Sequence, residues 1–169
     1  HSCQAGWIQV ISPIADSDRE PVIDLFNYYI KHSFAAYPEQ EVPYGFFSFL
    51  QESCKQYPSV AARLRDGTFA GFGLLRAHNP MPAFSRTAEI TYFIRPDLTG
   101  EGLGSTMLAR LEEEGKRQGI TTILASISSL NEGSIRFHAT HGFLECGRFK
   151  KVGRKKGTVF DTVWMQKFI

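Results

Sequence analysis

The feature that most constrains the fold of this 169-residue chain is a glycine-rich loop between a strand-like segment and a helix-like one. Residues 87–94 are rich in β-branched and aromatic side chains, which is typical of a strand. From Leu103 the apolar residues recur at helical spacing up to a stop at Gly119. The loop carries glycine at 100, 102 and 104, and such glycines let an anion approach the free N–H groups of a helix N-terminus. The pattern favours a phosphate-binding loop, or else a plain glycine-rich helix start.

Two common nucleotide motifs do not match this loop. A Walker loop ends in Gly-Lys-Ser/Thr, which is absent here. The dinucleotide fingerprint G-x-G-x-x-G requires glycine where this chain has Ser105, and the following segment 121–127 lacks the acidic residue that would hold a ribose. The loop by itself therefore leaves its ligand open.

The rest of the chain predicts a strand at 7–11, helices at 17–32 and 46–56, and a hairpin of strands 60–64 and 68–76 around the Asp66-Gly67 turn. After the loop and its helix come a strand at 120–127, a helix at 132–141, and strands at 143–151 and 158–168. Residues 17–20 have the spacing of a capping box at the first helix. The order is β-α-α-β-β-β-α-β-α-β-β in one domain, 1–169, with residues 1–6 expected to be a cloning remnant or a mature start.

Composition excludes several classes of protein. The net charge of +2 is too small to suggest a protein that lives on nucleic acid or an anionic membrane, and no apolar run approaches the ~20 residues needed to span a bilayer. The run of basic residues at 150–156 is expected to be a solvated hairpin tip, because no aromatic pattern for base stacking accompanies it. Cys3, Cys54 and Cys146 lack the spacing of a disulfide framework or a metal site, which favours a reducing cytoplasm.

Three local strings together resemble one family. They are Thr-Ala-Glu-Ile-Thr-Tyr-Phe-Ile at 87–94, Gly-Leu-Gly-Ser-Thr at 102–106, and the segment from Asn131 to Phe143. The loop resembles the pyrophosphate loop R/Q-x-x-G-x-G/A of the GCN5-related N-acetyltransferases (GNAT), and the strings resemble the phosphinothricin and methionine sulfoximine N-acetyltransferase group. The order of elements is similar to that family across essentially the whole chain.

The resemblance implies an α/β fold with a mixed, mostly antiparallel seven-stranded sheet and helices on both faces. It implies acetyl-CoA as cosubstrate, without a metal, held between two splayed parallel strands. The expected cofactor-binding residues are Tyr92, Phe93, Ile94, Thr99, Gly100, Glu101, Gly102, Leu103, Gly104, Ser105, Asn131 and Ser134. Thr99 stands where the family carries Arg or Gln, so one charged contact is missing and backbone amides are expected to dominate.

The same resemblance implies two catalytic side chains. Glu89 matches the position of the general base, which must take a proton because an aliphatic amine is mostly protonated near pH 7. His138 matches the residue that protonates the leaving thiolate. The residues alone leave two other interpretations open: Glu89 as an exposed residue of an edge strand, and His138 as a structural histidine.

For the acceptor, Phe34 and Tyr37 match a loop that lines the substrate pocket in related enzymes, although packing in the core explains these aromatics as well. The segment 76–86 differs from the phosphinothricin group and keeps only Arg76 and Arg86 as cations that could pair with an acceptor carboxylate. The leading hypothesis is acetyl transfer to a small amino-acid-like amine within a ternary complex. A peptide or protein N-terminal acetyltransferase and a non-catalytic acyl-CoA-binding module are the alternatives, and the resemblance suggests a homodimer.

Overall fold

The computed structural model describes residues 8–169, so the expected remnant at 1–6 and Cys3 lie outside the described residues. Its elements in chain order are β1 Ile8–Ser12, α1 Arg19–His32, α2 Phe46–Ser53, β2 Ser59–Leu64, β3 Phe69–Ala77, β4 Thr87–Ile94, α3 Leu103–Arg117, β5 Thr122–Ser128, α4 Glu132–Thr140, β6 Leu144–Lys155 and β7 Thr158–Phe168. This sequence of elements confirms the predicted order.

All seven strands form one sheet in the order β1-β2-β3-β4-β5-β7-β6. Every neighbouring pair is antiparallel except β4 and β5, which are parallel and are joined by α3. A parallel pair needs such a crossover, because its second strand must start at the same end of the sheet as the first. The predicted mixed, mostly antiparallel seven-stranded sheet is confirmed.

The parallel pair is short. Its ladder consists of Thr87 with Thr122, Ala88 with Ile123, and Glu89 with Leu124. Beyond Glu89 and Leu124 the two strands continue for several residues without pairing to each other, since β4 runs to Ile94 and β5 to Ser128. The sheet therefore opens in its middle into a space that we name the β4–β5 cleft.

Alternating side chains of β3 and β4 build a core on each face of the sheet. On one face Phe72 and Phe93 pack with Val22 and Ile23 of α1 and with Phe47 of α2. The opposite face carries a larger core, in which residues of β2, β3, β4, β5 and β7 pack against Leu103, Met107, Leu108 and Leu111 of α3. Helices therefore cover both faces, as predicted, and Glu89 and Thr91 share the α1 face with Phe93 by alternation.

The predicted capping box at residues 17–20 is wrong. A 3-10 turn at Asp16–Asp18 precedes α1, and the helix starts at Arg19. The Asp18 carboxylate accepts a hydrogen bond from Ala15 N at 2.8 Å and also pairs with Arg63 of β2. Asp18 is buried, and the ion pair holds it just before the helix. The N-cap of the 3-10 turn is therefore Ala15, two residues before Ser17, where the local pattern predicts it.

Candidate active site

A cavity of about 850 Å³ occupies the β4–β5 cleft. It is bounded by the unpaired ends of β4 and β5, the glycine-rich loop, the start of α4 and the end of α1. Twelve of the predicted site residues line it: Phe34, Tyr92, Phe93, Ile94, Thr99, Gly100, Gly102, Gly104, Ser105, Asn131, Ser134 and His138. The lining does not include the predicted residues Glu89, Glu101, Leu103, Tyr37, Arg76 and Arg86.

The glycine-rich loop has the geometry of an anion-binding turn. Gly100 and Gly102 adopt φ values of 81° and 85°, which only glycine accepts without strain, and no atom lies within 4 Å of either Cβ position. Gly102 is the N-cap of α3, and Thr106 N donates to Gly102 O at 3.2 Å. The N–H groups of the first helical turn have no partner within the helix, so a phosphate would be held by backbone donors at the mouth of the cavity.

Side chains of α4 continue the cavity wall next to this loop. Ser105 Oγ lies 2.7 Å from His141 Nε2, and His141 Nδ1 donates to Phe137 O at 2.8 Å. Asn131 caps α4, since its Oδ1 accepts from Ser134 N at 3.3 Å. No sequence pattern identified His141, because its partner Ser105 lies far away in the chain, on α3, and no local motif links the two residues.

His138 is buried against Tyr92. Only 2% of its surface is exposed; Nδ1 donates to Ser134 O at 2.7 Å, and Nε2 lies 3.4 Å from the Tyr92 hydroxyl. Burial lowers the pKa of His138, and the neighbouring His141 lowers it further, while the bond to Ser134 opposes the shift. Burial likewise raises the pKa of Tyr92 above its usual value. A neutral imidazole therefore accepts a hydrogen bond from a protonated phenol.

Glu89 lies where the cleft begins, as the last paired residue of β4 on the β5 side. Its Oε1 accepts from Arg76 Nη2 at 3.0 Å, and its Oε2 lies 2.8 Å from His78 Nδ1. Arg76 is the direct cross-strand neighbour of Glu89 and also donates to the Thr91 hydroxyl. Arg86 is exposed before β4, and its carbonyl accepts from Thr121 N. Glu89 is thus the carboxylate of an ion-paired cluster on the α1 face.

The predicted acceptor loop packs against β7 on this same face. Tyr37 stacks on Phe160 with 5.7 Å between ring centroids, and Phe34 meets the same ring edge-on at 6.1 Å. Burial raises the pKa of Tyr37, and a hydrogen bond with Ser126 of β5 opposes this rise. The acceptor loop is therefore held against β5 and β7, which lie next to each other on one side of the β4–β5 cleft.

The prediction that the basic run at 150–156 is a solvated hairpin tip is wrong for Lys155. Strand β6 continues as far as this residue, which is only 1% exposed, whereas the other cations of the run, Lys150, Lys151, Arg154 and Lys156, are exposed as expected. The Lys155 ammonium donates to Ser33 O at 2.7 Å and to Ala36 O at 2.6 Å, and Lys156 N donates to Glu39 at 2.6 Å. The β6–β7 turn thus holds the acceptor loop, and is only in part a solvated tip.

A family model described as Acetyltransferase (GNAT) family matches residues 22–143, which begin within α1 and include the residues that line the cleft. The chain belongs to the GNAT acetyltransferase family. It is accordingly an acetyl-CoA-dependent N-acetyltransferase, which removes the non-catalytic acyl-CoA-binding module from the alternatives. The cavity fits this cosubstrate, because the glycine loop offers backbone donors to a diphosphate and the unpaired edge of β4 offers peptide groups to an amide chain.

Two relatives of this GNAT chain are named as acetyltransferases of phosphinothricin and of methionine sulfoximine. It is 26% identical over 163 residues to a phosphinothricin N-acetyltransferase of Streptomyces coelicolor, which covers 93% of this chain and 94% of the relative. An L-methionine sulfoximine/L-methionine sulfone acetyltransferase of Pseudomonas paraeruginosa is 34% identical over 110 residues, 65% of this chain and 64% of the relative.

Solved GNAT structures share the whole fold. A ribosomal-protein-alanine N-acetyltransferase from Brucella melitensis aligns with TM-score 0.89 and 27% identity, over 95% of this chain and all of that one. The yncA acetyltransferase from Salmonella typhimurium, solved with its cofactor acetyl-CoA, aligns with TM-score 0.87 and 26% identity, over 94% and 92%. Within residues 8–169, no helix is long and apolar enough to cross a membrane. The same residues contain no cluster of three or more His, Cys, Asp or Glu side chains arranged for a metal.

Proposed function

We propose that this enzyme transfers acetyl from acetyl-CoA directly to the amino group of a small amino-acid-like acceptor, with both substrates bound at once. The observation that carries the proposal is the position of Glu89 at the point where β4 and β5 part. The cleft beyond this point is lined with backbone donors and leads to the glycine loop. A proton acceptor and a cosubstrate channel therefore meet at one residue.

The cosubstrate is proposed to lie along the cleft with its diphosphate on the N–H groups of residues 100–105. Backbone groups of Tyr92, Phe93 and Ile94 pair with its amide arm, and one of these N–H groups stabilises the negative charge that develops on the acetyl oxygen. Asn131 and Ser134 border the arm from the side of α4. Acetyl-CoA supplies the acetyl group as a thioester, which an uncharged amine can attack.

The Arg76–Glu89 pair is proposed to receive the proton of the acceptor amine. Arg76 holds one carboxylate oxygen at 3.0 Å, which fixes the carboxylate on the α1 face. The guanidinium therefore keeps Glu89 in place as a hydrogen-bond acceptor. In this proposal Arg76 positions the base. Arg86 remains the predicted partner for an acceptor carboxylate.

On the opposite side of the cleft, the Tyr92–His138 pair is proposed to assist departure of the thiolate. Burial keeps the Tyr92 hydroxyl protonated and His138 neutral. The Tyr92 hydroxyl carries a single proton, which it donates to His138 Nε2 in the resting site and would turn toward sulfur as negative charge develops there. His138 thus acts through Tyr92 in this proposal, because its own Nδ1 proton is held by Ser134 O.

A thiol-release assay with a panel of amino acids and amines tests the proposed function. Phosphinothricin, methionine sulfoximine and methionine sulfone belong in the panel, since relatives are named for them. We expect turnover with at least one free amino acid and a loss of about 10²-fold or more in kcat for Glu89→Gln. Full activity of Glu89→Gln with the best acceptor would remove Glu89 from the mechanism.

A protein N-terminus is the second candidate acceptor. The similarity to a ribosomal-protein-alanine acetyltransferase favours it, at 27% identity over nearly the whole chain. Peptides with N-terminal alanine in the same panel decide between the two. A kcat/KM for such a peptide above that of every free amino acid would replace the small-molecule acceptor with a polypeptide.

Two further expectations belong to this proposal. We infer a homodimer, because exposed apolar side chains recur along the outer strand β6, with Leu144 73% and Phe149 60% exposed. A reducing cytoplasm remains the predicted location, in keeping with the free thiols of Cys54 and Cys146.

A further inference from the structure

His78 is a titratable residue in direct contact with Glu89. It follows β3, and its Nδ1 lies 2.8 Å from Glu89 Oε2. Phe84 and Trp164 flank the imidazole with their rings nearly perpendicular to it, at 6.2 Å and 6.4 Å between centroids. About a third of the side chain, 34%, is exposed, so a ligand can reach the imidazole.

The surroundings of His78 define which ring nitrogen carries the proton. The Glu89 carboxylate, whose other oxygen is paired with Arg76 at 3.0 Å, can only accept a hydrogen bond. Nδ1 is therefore the donor. In the tautomer with its proton on Nδ1, the ring carries a lone pair on Nε2, and within residues 8–169 no hydrogen bond to Nε2 is present. The imidazole has the arrangement of a base whose tautomer is set by a carboxylate.

Each carboxylate oxygen of Glu89 already accepts a hydrogen bond, one from Arg76 and the other from His78. Direct proton abstraction by Glu89 would place a proton on an oxygen that already accepts a strong hydrogen bond and would weaken an ion pair. Nε2 has no such commitment. An imidazolium formed there would remain paired with the Glu89 carboxylate, which stabilises its positive charge.

We propose that His78 Nε2 is the proton acceptor of the acetyl transfer and that Glu89 orients it. The inference rests on the proposed function and refines the role of Glu89 within it. As the acceptor nitrogen forms its bond to the acetyl carbon, the C–S bond breaks and the electron pair leaves on sulfur. The proton lost by nitrogen moves to Nε2 and passes from there to solvent, and the thiolate takes up one proton from solvent, so that no net proton is released.

Chemical rescue tests this assignment. We expect His78→Ala to lower kcat about 10²-fold while the Kd for acetyl-CoA, measured by calorimetry, stays within about twofold of wild type. Added imidazole should restore a measurable fraction of kcat, in proportion to its concentration. His32→Ala is the matched control, since His32 is an exposed histidine of α1 that packs on Tyr28 and is not a hydrogen-bond partner of Glu89. It should lose no activity and gain none from imidazole.

The tautomer gives a second measurement that does not depend on turnover. Nitrogen-15 NMR of the wild-type protein should show His78 with its proton on Nδ1, and Glu89→Gln should remove this preference.

If wild type acetylates an amino acid but His78→Ala keeps its kcat, or loses it with no imidazole rescue, His78 is not the proton acceptor and the proposed function stands. A proton on Nε2 overturns the assignment as well. Failure of wild type with every amine and peptide overturns the proposed function and this inference together.

Discussion

Glu89 shows which properties of a site a sequence can predict. The string at residues 87–94 is sufficient to propose Glu89 as a base, because it identifies a strand that comes shortly before the glycine-rich loop. Its partners were not predictable in this way. Arg76 lies opposite Glu89 only in the observed β3–β4 register, and His78 reaches it from beyond the end of β3. Contacts between strands depend on register, which no short string encodes.

Substitution of Arg76 distinguishes two roles for this residue, orientation of Glu89 and binding of an acceptor carboxylate. We expect Arg76→Met to lower kcat about tenfold with little change in the acceptor KM, because it removes a charge-assisted hydrogen bond that orients Glu89. Steady-state kinetics with the best acceptor measures both constants. By contrast, Arg86→Met should raise the acceptor KM, because Arg86 is the predicted partner of the acceptor carboxylate. A rise in acceptor KM at unchanged kcat for Arg76→Met would instead support the predicted carboxylate-binding role of Arg76.

The buried His138 makes stability depend on pH. Its pKa is lowered by burial in the folded state, so below about pH 6.5 the unfolded chain binds a proton that the folded chain does not. The contribution of His138 to stability is therefore complete above this pH and is lost as pH falls through 6.5 toward the lower folded value. His138→Asn retains a donor for Ser134 O and removes the titration. Urea unfolding at pH 7.5 and 5.5 should show a smaller loss for this variant, and equal losses would contradict the assignment.

Among the elements, helices and strands were predicted almost throughout, because most lie between clear turn residues or show regular periodicity. β4 and β7 have the predicted bounds, and the ends of α3 and α4 differ by a residue or two. The larger differences are in α2, which ends three residues before its predicted end, and in strand β6, which extends four residues past the prediction. The pairing of β6 with β7 is irregular between Phe149 and Gly153, where Lys151 has φ 56°. The pairing resumes at Gly153, so the strand continues through the basic run as far as Lys155. A Cβ at Gly153 would lie 2.2 Å from the Phe160 ring, so tertiary packing determines this irregular segment.

The extended end of β6 gives Lys155 a role that depends on the fold. We expect Lys155→Met to leave the Ser33 and Ala36 carbonyls without their donor, which lowers stability by about 1–3 kcal/mol and loosens the acceptor loop. The acceptor KM should rise severalfold while the Kd of acetyl-CoA is unchanged. Lys150→Met, at an exposed position of the same strand, is the control. Equal effects of the two substitutions on acceptor KM would show that Lys155 does not hold the loop.

The outer edge of the whole sheet predicts self-association. Within residues 8–169, strand β6 pairs only with β7, and it exposes Leu144, Phe149 and Val152, so this edge and its apolar side chains would otherwise face water. Light scattering coupled to gel filtration should give twice the chain mass of 19.0 kDa. Phe149→Lys should shift the protein toward the monomer, whereas Phe49→Lys, on the exposed side of α2, should not. A monomeric wild type would contradict the homodimer.

A second edge lies inside the molecule. Because β4 and β5 share only three residue pairs, a slot of unpaired peptide groups runs through the middle of an otherwise continuous sheet. If the amide arm of acetyl-CoA fills this slot, ligand and protein together complete a structure that the chain alone leaves open. At a free concentration 100 times Kd, the ligand would add about 2.7 kcal/mol to the free energy of unfolding. The lifetime of such a protein in the cell would then follow the supply of activated acetate.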